Sequence, residues 1–478
     1  MKGFIRHIGK LFLLVVPLIL GLIGFVWVEG LPLVQSLFNC VCMYCLNYQD
    51  VPTNLWIEIA RWLAPLATAS GVVLVVHHFK TSIRNALAYA TRRSVAVFGP
   101  EEERGALLEE LGRAGIALEQ KLVKAHKYVL LGSEQENLQF YQLHAKRLQK
   151  RDVYIKCHTL PAQAATDPKL HLFCPEETAA RYFWKTYCPY ELSVQCKHQF
   201  RVTMIGFGKL GKELLLSALQ NNIFHRDQKI QYHIIGQEEG FCSIYHQLHQ
   251  LSDPVYFHCE PWYEQMELLR DSEIVVVADL SNPLAILRDL TLAFPGKPVH
   301  ALATGQQGID FLKAQNPCLH VFDWKACAYQ KEAILGSVLY DQAMGINLRY
   351  AYLYNNVEEN PENKLQQWAL LDAFKRYSNI SSADYHDIRK LMIQHNGWAV
   401  PLKAEQLEIL AELEHVRWCR YHFLNNWQHG IPKNGEAKDS DKRIHRSLIP
   451  YGKLSEDEKE KDRQVIDILL SLSSAGSK

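Results

Sequence analysis

The sequence predicts an α/β protein with a helical C-terminal module, preceded by an apolar N-terminal hairpin. Three observations carry this. Two apolar segments, Leu11–Val28 and about Trp62–Val76, flank a short loop. From Ser94 onward, short apolar runs alternate with amphipathic stretches, the pattern of a parallel sheet covered by helices. After about Glu332 the alternation stops and helical spacing takes over.

The first apolar segment meets the roughly 20 helical residues needed to cross a hydrocarbon core. The second is shorter, with Ile57, Ile59 and Ala60 extending it outward. Lys2, Arg6 and Lys10 precede the first segment, and Lys80, Arg84, Arg92 and Arg93 follow the second, whereas Glu29 to Glu58 contains no Lys or Arg. The positive-inside rule then predicts two spans in the plasma (inner) membrane, both termini cytoplasmic, with the lipid bilayer as a partner. A cleavable signal peptide is the alternative for the first segment. The long apolar run, the missing small-x-small site and the second segment argue against it.

Leu31–Leu46 is too short to span and too apolar for an ordinary loop, so it reads as a re-entrant or interfacial helix. Span, inner helix and span is the layout of a two-span potassium pore, whose filter is a Gly-rich strip of carbonyls. The equivalent stretch, Asn47-Tyr48-Gln49-Asp50-Val51-Pro52, has no glycine, which argues against a potassium filter. Ala64, Ala67, Thr68, Ala69, Ser70 and Gly71 suit close helix packing or a pore lining, and both readings stay open.

With 478 residues and a net charge of +1, the chain has room for about three domains and lacks the basic surface of a nucleic-acid binder. The twelve cysteines show no zinc-ribbon spacing and fit a reduced compartment. Cys40, Cys42 and Cys45 fall in the outward-facing loop, where a disulfide and free thiols are both open. Cys174, Cys188, Cys196 and His198 match no zinc module, and no metal is expected.

In the first α/β half, strands are expected at Ser94–Phe98, Lys127–Leu131 and Asp152–Cys157, with helices over Glu101–Arg113 and Glu134–Lys150; Thr81–Arg93 reads as a linker. The first turn, Gly99-Pro100-Glu101-Glu102-Glu103, places three carboxylates where a phosphate would sit, so this half is expected to serve as structure or subunit contact. In the second half, the strand Phe200–Ile205 leads into Gly206-Phe207-Gly208-Lys209-Leu210-Gly211 and a helix to about Leu219. Gly206, Gly208 and Gly211 suit a tight turn, close approach to a pyrophosphate and helix–strand contact. Glu238, after the strand Ile230–Ile235, is the candidate for ribose hydroxyls, and Asp279, after Ile274–Ala278, points toward the crevice outside the strand ends. A Rossmann sheet with a vestigial pocket is the alternative.

Two spans followed by VTMIGFGKLGKELL resemble the regulator-of-potassium-conductance family (TrkA-N, RCK domains), over about residues 90–305. Residues Ala125–Cys157 resemble that family's later strand-helix-strand portion, which makes the first half a degenerate copy. The resemblance implies two Rossmann-like parallel-sheet domains, at 81–190 and 191–331, after a membrane segment at 1–80. It also implies homo-oligomeric sensing rings (dimer or tetramer) coupled to a pore, with NAD or another adenine nucleotide such as ATP as ligand.

In the C-terminal module, 332–478, Leu407, Leu410, Leu413 and Val416 follow helical spacing. Ser455-Glu456-Asp457-Glu458 reads as a capping box for a final helix burying Val465, Ile466, Ile468 and Leu469. The stretches LAELEHVRWCRYHFLNNWQHG (410–430) and KRIHRSLIPYGKLSEDEKEKDR (442–463) resemble the ryanodine-receptor repeat (RyR) domain. Trp368, Arg376, Tyr377, Asn379 and His386 resemble the helical extension of its bacterial members. That resemblance implies a nucleotide-signal sensor, a class in which some members are linked to anti-phage defence.

Arg417, Trp418, Arg420, Trp427, Arg443, His445 and Tyr451 lie close in this module, with Arg376 and Asn379 upstream. Aromatic faces beside guanidinium groups suit a purine and its phosphates. The competing reading is a core, with Trp418 and Trp427 buried and the arginines paired with Glu412 and Glu414. No GxSxG, HExxH or P-loop lysine is present, so a dehydrogenase on the second Rossmann half is the enzyme alternative. The expected function is a membrane-anchored cytoplasmic nucleotide sensor or effector, channel-like, with a non-channel receptor or scaffold as the runner-up.

Overall fold

The structure is a computed structural model that describes residues 15–45, 47, 53–91, 93–119, 121–159, 167, 169–238, 240–280, 282–303, 307–433 and 435–475. The chain forms two compact units, Met1–Ser94 and Val95–Lys478.

In the N-terminal unit, the chain is helical from Val15, passes through a π-helical turn (Ile23–Val28) and continues into helices α1 (Leu33–Tyr44) and α2 (Leu55–Ala90). The segment Leu31–Leu46, expected as a re-entrant or interfacial helix, is helical as α1. Thr81–Arg93, expected as a linker, is helical to Ala90, because Ile83, Ala86, Leu87 and Ala88 continue the helix-forming run. Asn54 starts α2 by accepting Ile57 N (3.1 Å) and donates to Gly24 O (3.1 Å) and Glu29 (2.9 Å), which ties the π turn to α2. Phe25, Cys40, Met43, Ile57, Ala60 and Ala64 form the core of this unit. Cys40, Cys42 and Cys45 are free thiols.

Among the described residues, no helix is long and apolar enough to cross a membrane. The second expected span is only the middle of α2, which carries Glu58 and Arg61 before it and Lys80 and Arg84 after it. Residues 11–14 of the first expected span, and most of Asn47–Pro52, lie outside the described residues.

The second unit begins with a five-stranded, all-parallel sheet: β1 (Val95–Phe98), β2 (Gly115–Leu118), β3 (Lys127–Leu130), β4 (Asp152–Lys156) and β5 (Leu170–Phe173), in the order β2-β1-β3-β4-β5. Helices α3 (Glu101–Leu111) and α4 (Glu134–Leu148) provide crossovers, α4 starting with a Ser133/Glu136 capping box. Glu101, Glu102 and Glu103 occupy the first turn of α3, where carboxylates are favoured by the helix dipole, and Glu103 pairs with Lys156. Helix α5 (Pro175–Thr186) then carries the chain toward a six-stranded parallel sheet.

That sheet contains β6 (Gln199–Ile205), β7 (Lys229–Ile235), β8 (Val255–His258), β9 (Ile274–Val277), β10 (Val299–Leu302) and β11 (Leu319–Phe322). Its order, β11-β10-β9-β6-β7-β8, is that of a doubly wound dinucleotide fold, with the switch point between β6 and β9. Helix α6 (Lys209–Asn221) follows the glycine turn after β6.

The remainder is helical: α7 (Ser337–Asn355), α8 (Pro361–Leu370), α9 (Ala373–His395), α10 (Ala404–Leu424) and α11 (Glu456–Ala475). Within this mainly helical part lies a three-stranded sheet of two-residue strands, at Gln428–His429, Lys438–Asp439 and Ile444–His445, too short for periodicity to reveal.

A single core runs through both sheets and this helical part, from Val97 through Phe183, Trp184 and Leu214 to Leu410 and Ile466. Polar ties reinforce it. Trp184 Nε1 donates to Leu214 O (2.8 Å), Tyr385 Oη to Ile223 O (2.6 Å), and Arg420 to Leu219 O (3.1 Å) while pairing with Asp253 (2.7 Å).

At the centre of the helical part, Glu414 (2% exposed) holds Arg389 and Arg417 (1% each). Removing one partner of such a buried cluster strands the others' charge. Glu414→Gln is therefore expected to lower stability by about 3–5 kcal/mol in chemical denaturation. A loss under about 1 kcal/mol would mean that the arginines find other compensation.

Candidate functional site

The glycine turn after β6 has the shape expected of it. Gly206 adopts φ +95°, and a Cβ there would fall 1.9 Å from Ala278 O, so only glycine fits. Phe207 packs edge-on against Phe241, at the start of the short helix after β7, and Phe257 of β8, anchoring the turn to that side of the sheet.

The amides that would receive a pyrophosphate already have an acceptor. Asp279, itself left-handed (φ +55°), reaches across the switch point from the end of β9. Its carboxylate accepts Gly208 N (2.9 Å), Leu210 N (3.3 Å) and Gly211 N (2.5 Å). An anion at a helix N-terminus is favourable, and here the chain supplies its own. Asp279 thus reaches the crevice as expected, but closes the loop. As arranged, the turn does not fit a dinucleotide's phosphates. Glu238 lies at the end of β7, where its carboxylate caps the next turn by accepting Cys242 N (2.8 Å).

The aromatic and cationic residues of the C-terminal module divide between a cavity of about 400 Å³ and the surrounding scaffold. Trp418, His445, Asn379 and Arg417 line the cavity. Trp418 is half-buried and forms an aromatic wall with His422 (4.0 Å between ring centres) and His445 (4.9 Å, edge-on). His445 accepts Ser447 N at Nδ1 (3.1 Å), which places its proton on Nε2. Burial, with Lys438 beside it, pushes His445 down to about 4, so it is a neutral donor. His422 donates from Nδ1 to Trp418 O (2.8 Å), and burial pushes it down to about 3.

Arg417 is not free to meet a ligand. Its guanidinium is committed to Glu414 (2.7 and 2.9 Å) and Ser381 Oγ (2.8 Å). The other predicted residues do not line this cavity. Trp427 is buried behind it, stacked on Phe374 at 5.2 Å. Arg443 is exposed, with φ +51°, and donates to Asn425 O (2.9 Å). Tyr451 donates to Glu408 (3.1 Å). Arg376 caps the end of α8 through Trp368 O and Ala369 O (3.0 Å each), and lines a separate cavity of about 520 Å³.

Lysines take the place of the expected arginines. Lys375, Lys438 and Lys461 line the cavity, and Lys438 makes no side-chain hydrogen bond or ion pair among the described residues. Burial, then Lys375, holds Lys438 below the usual lysine range. The Asn347 amide nitrogen, also on the wall, is buried without a hydrogen-bond partner among the described residues. Opposite, His415 sits between Asp462 (3.3 Å) and Ile449 O (2.8 Å). Burial alone would lower it, but Asp462 and Cys419 raise it to about 11. Lys438 was not picked out from the sequence, because the return of the polar stretch 433–442 over Trp418 is a tertiary event.

The fold and this cavity define a multidomain α/β protein with a ligand-sized pocket in its helical part. Residues 393–476, which supply Trp418, Lys438, His445 and Lys461, match the RyR domain family. No curated protein matches the chain. Among solved structures, GsuK bound to ADP is similar at 12% identity, over 74% of this chain and 98% of that one, with a TM-score of 0.36. The GsuK channel is similar at 13% identity, over 69% and 95%, TM-score 0.35. L-tryptophan dehydrogenase from Nostoc punctiforme is similar at 12%, over 70% and 88%, TM-score 0.24.

Asp279→Asn keeps a residue that tolerates the left-handed backbone while removing the charge that closes the glycine loop. It is expected to cost about 1.5–3 kcal/mol of stability and to increase NAD affinity, read by calorimetry. Unchanged or weaker NAD binding would mean that this carboxylate is not what keeps the loop closed.

Proposed function

We propose that the protein is a membrane-anchored sensor whose C-terminal module binds a phosphate-bearing heteroaromatic ligand of the nucleotide class. The observation that carries this reading is the Trp418 cavity. A half-buried indole offers a stacking face, neutral His445 offers a hydrogen bond, and Lys375, Lys438 and Lys461 supply positive charge for phosphates. The same geometry favours binding over catalysis: Glu414, Asp462 and His415, the groups suited to proton transfer, are tied up in ion pairs.

The closed glycine turn makes the helical pocket the better first site for an adenine nucleotide, and leaves NAD at the second sheet as a conditional ligand. The soluble parts would face the cytoplasm at the plasma (inner) membrane, as homo-oligomers. Support for the anchor comes from the N-terminal unit, where Trp27, Phe38, Leu55, Trp62 and Leu66 are exposed. Ligand binding would act on that anchor only by favouring one of two arrangements of the soluble parts. The absence of glycine in Asn47–Pro52 favours a non-channel receptor as the second reading over a potassium-selective pore.

ADP, with one base and two phosphates, is a suitable probe for the full chain reconstituted in liposomes. Trp418→Ala and Lys438→Ala are each expected to weaken ADP binding by about tenfold, in line with one lost stack or charged contact. Affinity should fall as pH rises through the lowered Lys438 pKa, at a lower pH than an exposed lysine would give. Binding unchanged in both variants, or absent for ADP and NAD alike, refutes the pocket. Binding without a change in ion or dye flux removes the channel and leaves the anchored receptor.

A further inference from the structure

The C-terminal ends of β4 and β5 bring together three side chains that lie far apart in simple spacing. The two strands are parallel neighbours, with Lys156 opposite Phe173, so the residues just beyond them emerge side by side. His158 follows β4, Cys174 follows β5, and Glu176 lies in the first turn of α5, whose start is set by Pro175. His158 Nδ1 is 2.9 Å from Glu176 Oε2, and Cys174 Sγ is 3.2 Å from the same oxygen. One ligand atom from each of the three lies within 4.8 Å of the others. Glu176 is 8% exposed, and the other two are half-buried.

We propose that His158, Cys174 and Glu176 form a binding site for a thiophilic divalent cation of the zinc class. Imidazole, thiolate and carboxylate are the donors such an ion takes, whereas magnesium and calcium prefer oxygen alone. The charges also balance: on binding, the Cys174 thiol gives its proton to solvent, and one thiolate and one carboxylate neutralise a 2+ ion beside a neutral imidazole. A neutral cluster suits a half-buried position.

The surroundings hold the donors in place. Glu134 accepts the backbone amides of His158 and Thr159 (3.0 Å each), which fixes the turn that presents the imidazole. Asn137 donates to Lys156 O (2.9 Å) and secures the strand end before that turn.

Three protein ligands leave a tetrahedral ion one open position. His158 and Cys174 line a cavity of about 420 Å³, whose other walls include Glu213 of α6, Tyr377 of α9 and Tyr421 of α10. The open position would face this cavity, where both α/β halves and the helical part meet. The site is thus an input separate from the Trp418 pocket, and it stands whether or not that pocket binds a nucleotide.

Cobalt(II) is the probe, because thiolate ligation gives a charge-transfer band that nitrogen or oxygen donors do not. The chelator-treated full chain is expected to bind one Co²⁺ with that band, to release it to Zn²⁺ and to retain it against excess Mg²⁺. Cys174→Ser should abolish the band, and His158→Gln should weaken Co²⁺ binding by at least about tenfold. Absence of the band in the wild-type chain, or a band of full intensity in Cys174→Ser, overturns the site. If Cys174→Ser fails to fold by circular dichroism, His158→Gln decides: wild-type Co²⁺ affinity there overturns the proposal.

Discussion

The buried cluster of Arg389, Glu414 and Arg417 is the constraint around which the helical part is arranged. Glu414 of α10 takes Arg417 from its own helix and Arg389 from α9, while Ser381 and Ser382 supply further contacts. The Arg389 guanidinium also lies over Tyr385, 4.6 Å from the ring centre. Two cations for one anion is an expensive set to desolvate, so its worth lies in fixing how α9 and α10 meet more than in net stability. One helical turn on, Arg420 joins the same helix to Asp253 beside the second sheet. The pocket wall and the interface with the sheet are therefore positioned by the same helix, through charges that a ligand cannot easily recruit.

This cluster also explains which site residues were legible. Trp418, His445 and Asn379 could be picked out by type, since a stacking ring, an imidazole and an amide remain at the cavity wall. Arg417 could not be told from a ligand-binding arginine, because the decisive fact is that its partner Glu414 is buried with it. The competing core reading paired the arginines with Glu412 and Glu414. It was right for Glu414, whereas Glu412 meets Arg226. Trp427 and Tyr451 were displaced by Phe374 and Glu408, partners that only the folded chain brings near.

The fold shows a similar division. Strands such as Phe200–Ile205 and Ile274–Ala278 were visible as apolar runs and fall within a residue or so of β6 and β9. Strands β2, β5, β8, β10 and β11 were not specified: each is only four residues long, β5, β10 and β11 carry a histidine inside, and β8 ends on one. Those histidines pack on strand neighbours: His171 on Tyr154, His258 on His233, and His300 on His320. Burial pushes His300 down to about 4, so it behaves as a neutral aromatic within the sheet. The glycine turn was legible in full, but Asp279, some seventy residues away, is what closes it.

Two candidate ligand sites thus stand in contrast, one with its turn amides already satisfied by Asp279 and one with a lysine, Lys438, that has no side-chain partner among the described residues, beside an aromatic wall. The central claim is that the second is the ligand site. Native mass spectrometry of the purified full chain tests it most directly, by identifying the small molecule that co-purifies. The account predicts a phosphate-bearing heteroaromatic compound bound to the wild-type chain and lost from Trp418→Ala. The same compound retained at equal occupancy by Trp418→Ala, or one lacking phosphate, would contradict it.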